Sequence, residues 1–572
     1  PPREFFPGII TPYIGLPLNE VSSEDRIPIL NPSSDPVTSP RLPFFPFSSG
    51  YLDRAIMGAN FLSGNDIIEV RYGTYTSLVP IRDTVTMIGK DKPTIDSSSE
   101  IYRPAEFVGP FFDGRLNIFP GGSGSRVEGF KINPDNSKED SGPGGIGVLL
   151  AFADDNQLYS NEIYDNIVGI GLLNANNNYI GSSENEELGN NIHDNLIGVG
   201  LLGITDIRLP GDPVPYLITS NSIAGNQITD NLLGVGFLGA SDNLIENNDI
   251  NGNLVGIADI GIDSTAPLLE FLFRSIGLFR PVGNEMGVAT INPLIMPNPE
   301  IPEIKISTEN NTIKGNRIEG NEFVGIGLLN SEGTNVESNT IINTPAINNG
   351  ITNDQEMHYF MGPELFPYET PGVGIALSDA YNANIRKNII SNNNIGILAI
   401  PNLIEGFFSL REFNRTSEIG VPTDNSVHFN SITDNEIGIG VEPLTPPSGE
   451  RLADNWINAT LNYWGSPDGP TVDWYETEEV DYDGGGDTIV GPENSVPFSP
   501  WLGDSLPGST KGIDTDPDTP GVQLPQNVKI IVDDVGPKPT TKNKNTGYLS
   551  QAFWGSNELP GKDTVIVRKG YY

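Results

Sequence analysis

The chain has 572 residues, with 74 acidic against 32 basic side chains and a formal net charge of -42. That balance excludes nucleic acid as a partner, since phosphates need a basic surface, and it opposes direct binding of an acidic polysaccharide unless cations intervene. There is no cysteine, which excludes disulfides and thiolate metal sites, and no run of roughly 18 apolar residues offers a membrane span.

Residues 1–50 are rich in proline and phenylalanine (Phe5, Phe6, Phe44, Phe45, Phe47) and lack periodicity, so they read as an N-terminal arm that does not fold alone. The first residues are Pro1-Pro2-Arg3 with no methionine, read as a start left by leader removal or trimming. Residues 51–103 lead into a repetitive stretch over about 104–470. Long insertions are expected at about 258–308, 345–371 and 399–424. Two of them carry apolar runs, Leu268 to Phe279 and Leu403 to Leu410, each read as a short helix on the wall or an exposed patch. Residues 471–503 close the repeats, and 504–526 form an acidic Gly/Pro linker. The tail 527–572 offers two strands, Val528 to Val532 and Asp563 to Arg568.

The repeat is a phrase: asparagine, gap, Ile, gap, asparagine, then Gly-Ile or Gly-Val. It occurs from Asn161 to Asn166 with Gly169-Ile170, from Asn190 to Asn195 with Gly198-Val199, and from Asn226 to Asn231 with Gly234-Val235. It returns at Asn248 to Asn253, Asn316 to Asn321, Asn388 to Asn393 and Asn430 to Asn435. The step from Asn226 to Asn248 is 22 residues, a period that marks a solenoid. Ile223, Ile228, Leu233 and Val235 alternate with polar residues and read as inward-facing. Asparagines fall at corners, where a left-handed backbone is tolerated and where stacked amides can form ladders. The Leu-x-x-Leu-x-Leu frame and the 3.6-residue helical period are both missing. The pattern predicts an all-β chain folded as a parallel β-helix.

The Asn-x-Ile-x-x-Asn-x-x-Gly-Ile phrase resembles the right-handed parallel β-helix superfamily, the pectate-lyase-like fold with its NosD-type and adhesin-like branches. Leu52 to Ile56, Gly64 to Val70, Gly73 to Tyr75 and Val85 to Asp96 look like the entry segment of such proteins, a short capping helix before the first coils. Asn462-Tyr463-Trp464-Gly465-Ser466-Pro467-Asp468-Gly469-Pro470 resembles their closing motif. The likeness covers roughly residues 51–503. It implies a right-handed solenoid with an N-terminal capping helix, to which the sequence itself adds a Pro-rich arm and a small C-terminal β segment. It does not fix an activity, because the scaffold hosts lyases, hydrolases, epimerases and adhesins.

A lyase on this scaffold would need a basic residue beside carboxylates, and a hydrolase two or three close carboxylates. The bases within the coils are Lys314, Arg317, Arg386, Lys387, His193 and His428, all read as solvated surface groups. Asp165, Asp194, Asp230 and Asp434 each precede an asparagine and read as a turn preference. The polygalacturonase Asp-Asp pair and the Asp-Pro-His-Glu sequence of alginate epimerases are absent. Two acidic runs are candidate calcium ligands: Asp514, Asp516 and Asp518, and Asp481, Asp483 and Asp487. Sequons stand at Asn310, Asn414 and Asn458. These features lead to an expectation of an extracellular or cell-surface structural protein that polymerises into a filament, sheath or surface layer. Residues 1–50 and 527–572 would serve as its joints by strand addition. The alternative is a polysaccharide lyase or hydrolase, or a glycan-binding adhesin.

Overall fold

The computed structural model describes residues 26–28, 51–62, 64–75, 79–96, 114–133, 145–203, 218–261, 308–345, 347–348, 369–400, 422–441, 457–475, 480–493, 495–505, 528–533, 535, 540–541, 544–545 and 547–570. The apolar runs at 268–279 and 403–410, the linker around 514–518 and most of the arm lie outside these residues.

Each repeat is one coil of three short strands. In one coil Ser222–Ala224 belongs to the first sheet, Gln227–Thr229 to the second and Leu233–Leu238 to the third. Stacking the coils builds three long sheets of 13, 11 and 13 strands. Their coil-to-coil ladders are parallel and in register, so equivalent residues sit directly above one another. In the second sheet Ile163 pairs with Ile192, Ile192 with Ile228, and Ile228 with Ile250. These isoleucines are fully buried, and each contributes roughly 1.5–3 kcal/mol through removal of apolar surface from water. The expected right-handed parallel β-helix is the observed fold.

The two recurring halves of the phrase have separate physical causes. Corner asparagines form ladders in which each amide oxygen accepts twice from the coil before it. Asn231 donates its backbone N–H and its Nδ2 to Asn253 Oδ1 at 2.9 and 3.0 Å, and Asn195 does the same to Asn231 at 3.0 Å. These buried amides would otherwise be unsatisfied, at a cost of about 1–3 kcal/mol each. The glycine of Gly-Ile is needed because backbones approach closely there. A Cβ on Gly198 would stand 2.6 Å from Gly234 O, and one on Gly169 2.6 Å from Gly198 O. Asp165, Asp194, Asp230 and Asp434 occupy corner positions with φ of 58, 54, 55 and 61°, as a turn preference requires.

Both ends of the rod are closed by their own chain. The helix Tyr51–Phe61 buries Leu52, Ala55, Ile56 and Ala59, spacings that place them on one face. Arg26–Pro28 pairs with the start of the first sheet, Arg26 opposite Ile67. At the other end Trp464 and Trp501 are fully buried, and Trp501 Nε1 donates to Pro467 O at 3.1 Å. Trp501–Leu502, Lys529–Val532 and Thr564–Val567 form a three-stranded sheet. The two tail strands appear where the sequence places them. A helix, Tyr548–Glu558, joins them without having been expected; its N-cap is Gly547, with no side-chain cap hydrogen bond to announce it. Tyr548, Ala552 and Leu559 pack with Phe429, Leu461, Leu502, Val528, Ile530 and Val532 in one apolar cluster.

Candidate functional site

Exact register places one cluster of chemically capable side chains on the outer wall. Because Glu162–Tyr164 pairs with Asn191–His193, Tyr164 lies opposite His193. The two rings stack with centroids 5.0 Å apart and planes 5° from parallel. His193 Nδ1 lies 2.7 Å from Asp194 Oδ2, which orients the imidazole. One coil earlier Lys131 lies opposite Glu162, with Nζ 3.0 Å from Glu162 Oε2, and Lys92 Nζ approaches the same oxygen at 3.5 Å.

The environment shifts these groups in opposite senses. Burial raises the Asp165 carboxyl, and the neighbouring Asp194 raises it further, against a smaller opposing effect of His193. Burial also raises the Tyr164 phenol, despite Lys131 nearby, so it keeps its proton. For Glu162, burial pulls upward, but the Lys131 hydrogen bond and the charges of Lys131 and Lys92 win and hold it below the usual range. A site that separates the proton affinities of close carboxylates has the ingredients of acid–base chemistry.

The first sheet adds an aromatic platform in the same coils. Arg126 lies 4.8 Å above the Tyr159 ring and pairs with Glu128 at 2.6 Å. Tyr179, one coil on, pairs in register with Gln157 and is 47% exposed. Between platform and Tyr164–His193 pair runs the loop from Ser182 to Gly189. It carries a short 3-10 turn, Glu186–Leu188, whose Glu187 N–H is taken by Asn185 Oδ1 at 3.1 Å. Ser160 fixes the loop to the corner: its Oγ donates to Glu187 O at 2.6 Å and its N to Leu188 O at 3.1 Å. Glu184, Glu186 and Glu187 on this loop are exposed.

The other candidates are dispersed. Lys314, Arg317, Arg386 and Lys387 occupy outer positions and meet Glu246, Glu319 and Glu337 in ion pairs along the wall. His428 was expected on the surface and is instead buried. Its Nδ1 lies 2.8 Å from Thr460 O and its ring meets Trp554 edge-on at 5.3 Å, because the unforeseen C-terminal helix covers the last coil. Asp481 Oδ2 accepts the Trp474 N–H at 2.9 Å. Asp487 accepts the Nδ2 of Asn435 at 2.7 Å, and Asp483 is exposed. Among the described residues no group of three or more His, Cys, Asp or Glu side chains is placed to hold a metal ion, so Asp481, Asp483 and Asp487 do not converge. Asp514, Asp516 and Asp518 lie outside the described residues, as does Asn414. Asn310 is exposed at a left-handed corner, and Asn458 Oδ1 accepts from Thr460 Oγ1 at 3.0 Å.

Tyr159, Tyr164, Tyr179 and Lys131 were not singled out in the sequence. Only their outward positions on strands of adjacent coils mark them, and the unequal steps between coils hide that adjacency.

No protein-family model matches the chain, and no curated protein matches it in sequence. Solved structures do match in fold. The A-module of the Azotobacter vinelandii mannuronan C-5 epimerase AlgE6 is 12% identical with a TM-score of 0.45, over 79% of this chain and 94% of that one. An alginate lyase from Paenibacillus sp. str. FPU-7 is 14% identical with a TM-score of 0.32, over 78% and 96%. The Dettilon tailspike protein is 14% identical with a TM-score of 0.37, over 78% and 66%. All are parallel β-helix proteins, and the likeness is one of fold.

The expectation of a filament, sheath or surface-layer subunit is corrected on two findings. The solved structures alike in fold are those of an epimerase, a lyase and a tailspike, and Arg26–Pro28, Lys529–Val532 and Thr564–Val567 each pair on at least one side with a strand of their own chain. Among the described residues no helix is long and apolar enough to cross a membrane.

Proposed function

We propose that this right-handed parallel β-helix acts on a polysaccharide, held across the outer face of the second sheet, from Tyr159 and Tyr179 at the end of the first sheet, over Tyr164 and His193, to the corner that carries Asp165 and Asp194. The reaction class that the groups favour is cleavage of a glycosidic bond. Asp165 is the proton donor, since burial and Asp194 push its carboxyl toward the protonated form. Asp194, held by His193, is the second carboxylate, matching the two-carboxylate requirement of glycoside hydrolysis. Tyr164 keeps its phenolic proton and is a hydrogen-bond donor to sugar hydroxyls. Tyr159 and Tyr179 offer ring faces on which pyranose rings stack. An extracellular or cell-surface location accords with such a substrate.

The observation behind this reading is the stacked Tyr164–His193 pair with Asp194 2.7 Å from His193 and Asp165 beside it, its carboxyl raised by burial and by Asp194. The test is release of new reducing ends from a panel of polysaccharides. The reading expects activity on one of them, reduced at least about 100-fold by Asp165→Asn, the scale of a lost general acid. Unsaturated ends in place of hydrolysed ones would replace hydrolysis with elimination. Full activity in both Asp165→Asn and His193→Ala would move the chemistry elsewhere.

A further inference from the structure

We infer that the site selects an uncharged or amino-bearing glycan and rejects a polyuronate, unlike the alginate enzymes whose fold it shares. The inference rests on the glycan reading above and specifies its substrate class.

The argument is a balance of charge around the two tyrosine patches. Every lysine and arginine of the site is already committed to a glutamate: Arg126 to Glu128, and Lys131 and Lys92 to Glu162. A carboxylated sugar would have to break one of these pairs to gain a cation. Glu184, Glu186 and Glu187 meanwhile stand in no ion pair with a lysine or arginine among the described residues. Glu184, Glu186 and Glu187 ride on the loop that Ser160 ties to the corner between the patches. A polymer contacting both Tyr179 on one side and His193 on the other therefore passes beside that loop. At about 0.1 M salt charges act over about 10 Å, so the carboxylates of a uronate chain meet a like-signed wall, and the overall charge of -42 deepens it. Like charges facing each other discriminate against the wrong partner. Amino groups meet the opposite: the loop glutamates and Asp194 are acceptors for ammonium donors, and the tyrosine faces attract cations. Neutral sugars keep the stacking and hydroxyl contacts without the repulsion.

The test compares three short oligosaccharide series by titration calorimetry on the full chain, with chelator and again with calcium. They are chitosan oligomers, their N-acetylated forms and oligogalacturonates. A further pair of variants reports on location: Glu184→Gln/Glu186→Gln/Glu187→Gln, and Tyr164→Ala/Tyr179→Ala. The expected result is a Kd at least about tenfold tighter for the amino-bearing or N-acetylated series than for the uronate. The triple glutamine variant should narrow that gap severalfold at unchanged unfolding temperature, and the tyrosine variant should abolish binding. Tightest binding to the uronate, with or without calcium, overturns the inference while leaving a glycan site in place. Binding of chitosan that survives in the tyrosine variant overturns it as well, as nonspecific attraction to an acidic chain. Binding to none of the three series overturns the glycan reading itself.

Discussion

Asn435 gives both its backbone N–H and its side-chain amide to one oxygen of Asp487, at 3.1 and 2.7 Å. At the opposite end of the same ladder Arg115 Nε donates to Asn166 Oδ1 at 2.9 Å. The stack runs donor to acceptor toward the C-terminus in two stretches, Asn166 to Asn321 and Thr344 to Asp487, and between them Thr344 Oγ1 has no hydrogen-bond partner among the described residues. A cation stands at its acceptor end and an anion at its donor end. The ladder before the first sheet ends in the same way. Asn311, whose successor in the stack is Thr334, turns its Nδ2 to the buried Asp259 at 3.1 Å. Thr334 donates to the other carboxylate oxygen at 2.7 Å.

Asp487→Leu should therefore lower stability by about 2–4 kcal/mol, because two buried donors of Asn435 lose their acceptor. Asp487→Asn, which keeps a carbonyl oxygen there, should cost far less. Urea unfolding of the two variants measures the difference. Equal losses would mean that the ladder end contributes nothing.

Stability should depend on pH through buried groups of opposite sign, His428 on one side and Asp259 with Asp487, which burial also raises from 3.8 to about 6, on the other. Burial lowers His428 from 6.5 to about 4, against a weaker upward effect of its bond to Thr460. Between these values the unfolded chain takes up a proton that the folded chain refuses, so stability falls as pH drops from 6.5 to 4. Burial raises Asp259 from 3.8 to about 6, against the hydrogen bonds of Thr308, Thr334 and Asn311. The folded chain here holds the proton longer, so this contribution is present below about 4 and is lost as pH rises to about 6. Each is worth on the order of 3 kcal/mol. His428→Phe should make the chain gain more stability than wild type on acidification through this window, and Asp259→Asn should make it gain less. Parallel profiles for all three proteins would contradict both assignments.

Two neighbouring glycines should respond differently to the same change. A Cβ at Gly198 meets a carbonyl at 2.6 Å, whereas at Gly200 the nearest atom is 3.5 Å away at a side chain. Gly198→Ala should cost about 1–3 kcal/mol from overpacking, and Gly200→Ala should be close to neutral. Thermal unfolding of the pair decides it, with equal shifts counting against the close-approach account.

Removal of residues 527–572 should destabilise the rod instead of detaching a free joint. Phe429 and Leu461 would be stripped of their cover, and Asp468 would lose its ion pair with Arg568 at 2.6 Å. The truncated chain should unfold at lower denaturant concentration and expose its last coil to protease. Unchanged stability would restore the tail as an independent arm.

The fold was legible because a solenoid writes the same local physics repeatedly: an inward Ile, a corner Asn, a glycine where backbones touch. Asp165 and Asp194 were read correctly as corner residues, yet the chemistry around them stayed hidden. Tyr164 and His193 are 29 residues apart in sequence, while other adjacent coils differ by 22 or 68, so which side chains share a face depends on every intervening loop. His428 was misplaced for a related reason. Its cover comes from Trp554, far along the chain in a helix that lacks strong end signals.

Amide hydrogen exchange of the full chain, with and without its best-bound oligosaccharide, tests the central claim most directly. The account predicts added protection confined to residues 157–165 and 179–194, the strands, loop and corners that carry Tyr159, Tyr164, Asp165, Tyr179, His193 and Asp194. Protection on the third sheet or at the C-terminal cap, with none in those segments, would contradict it.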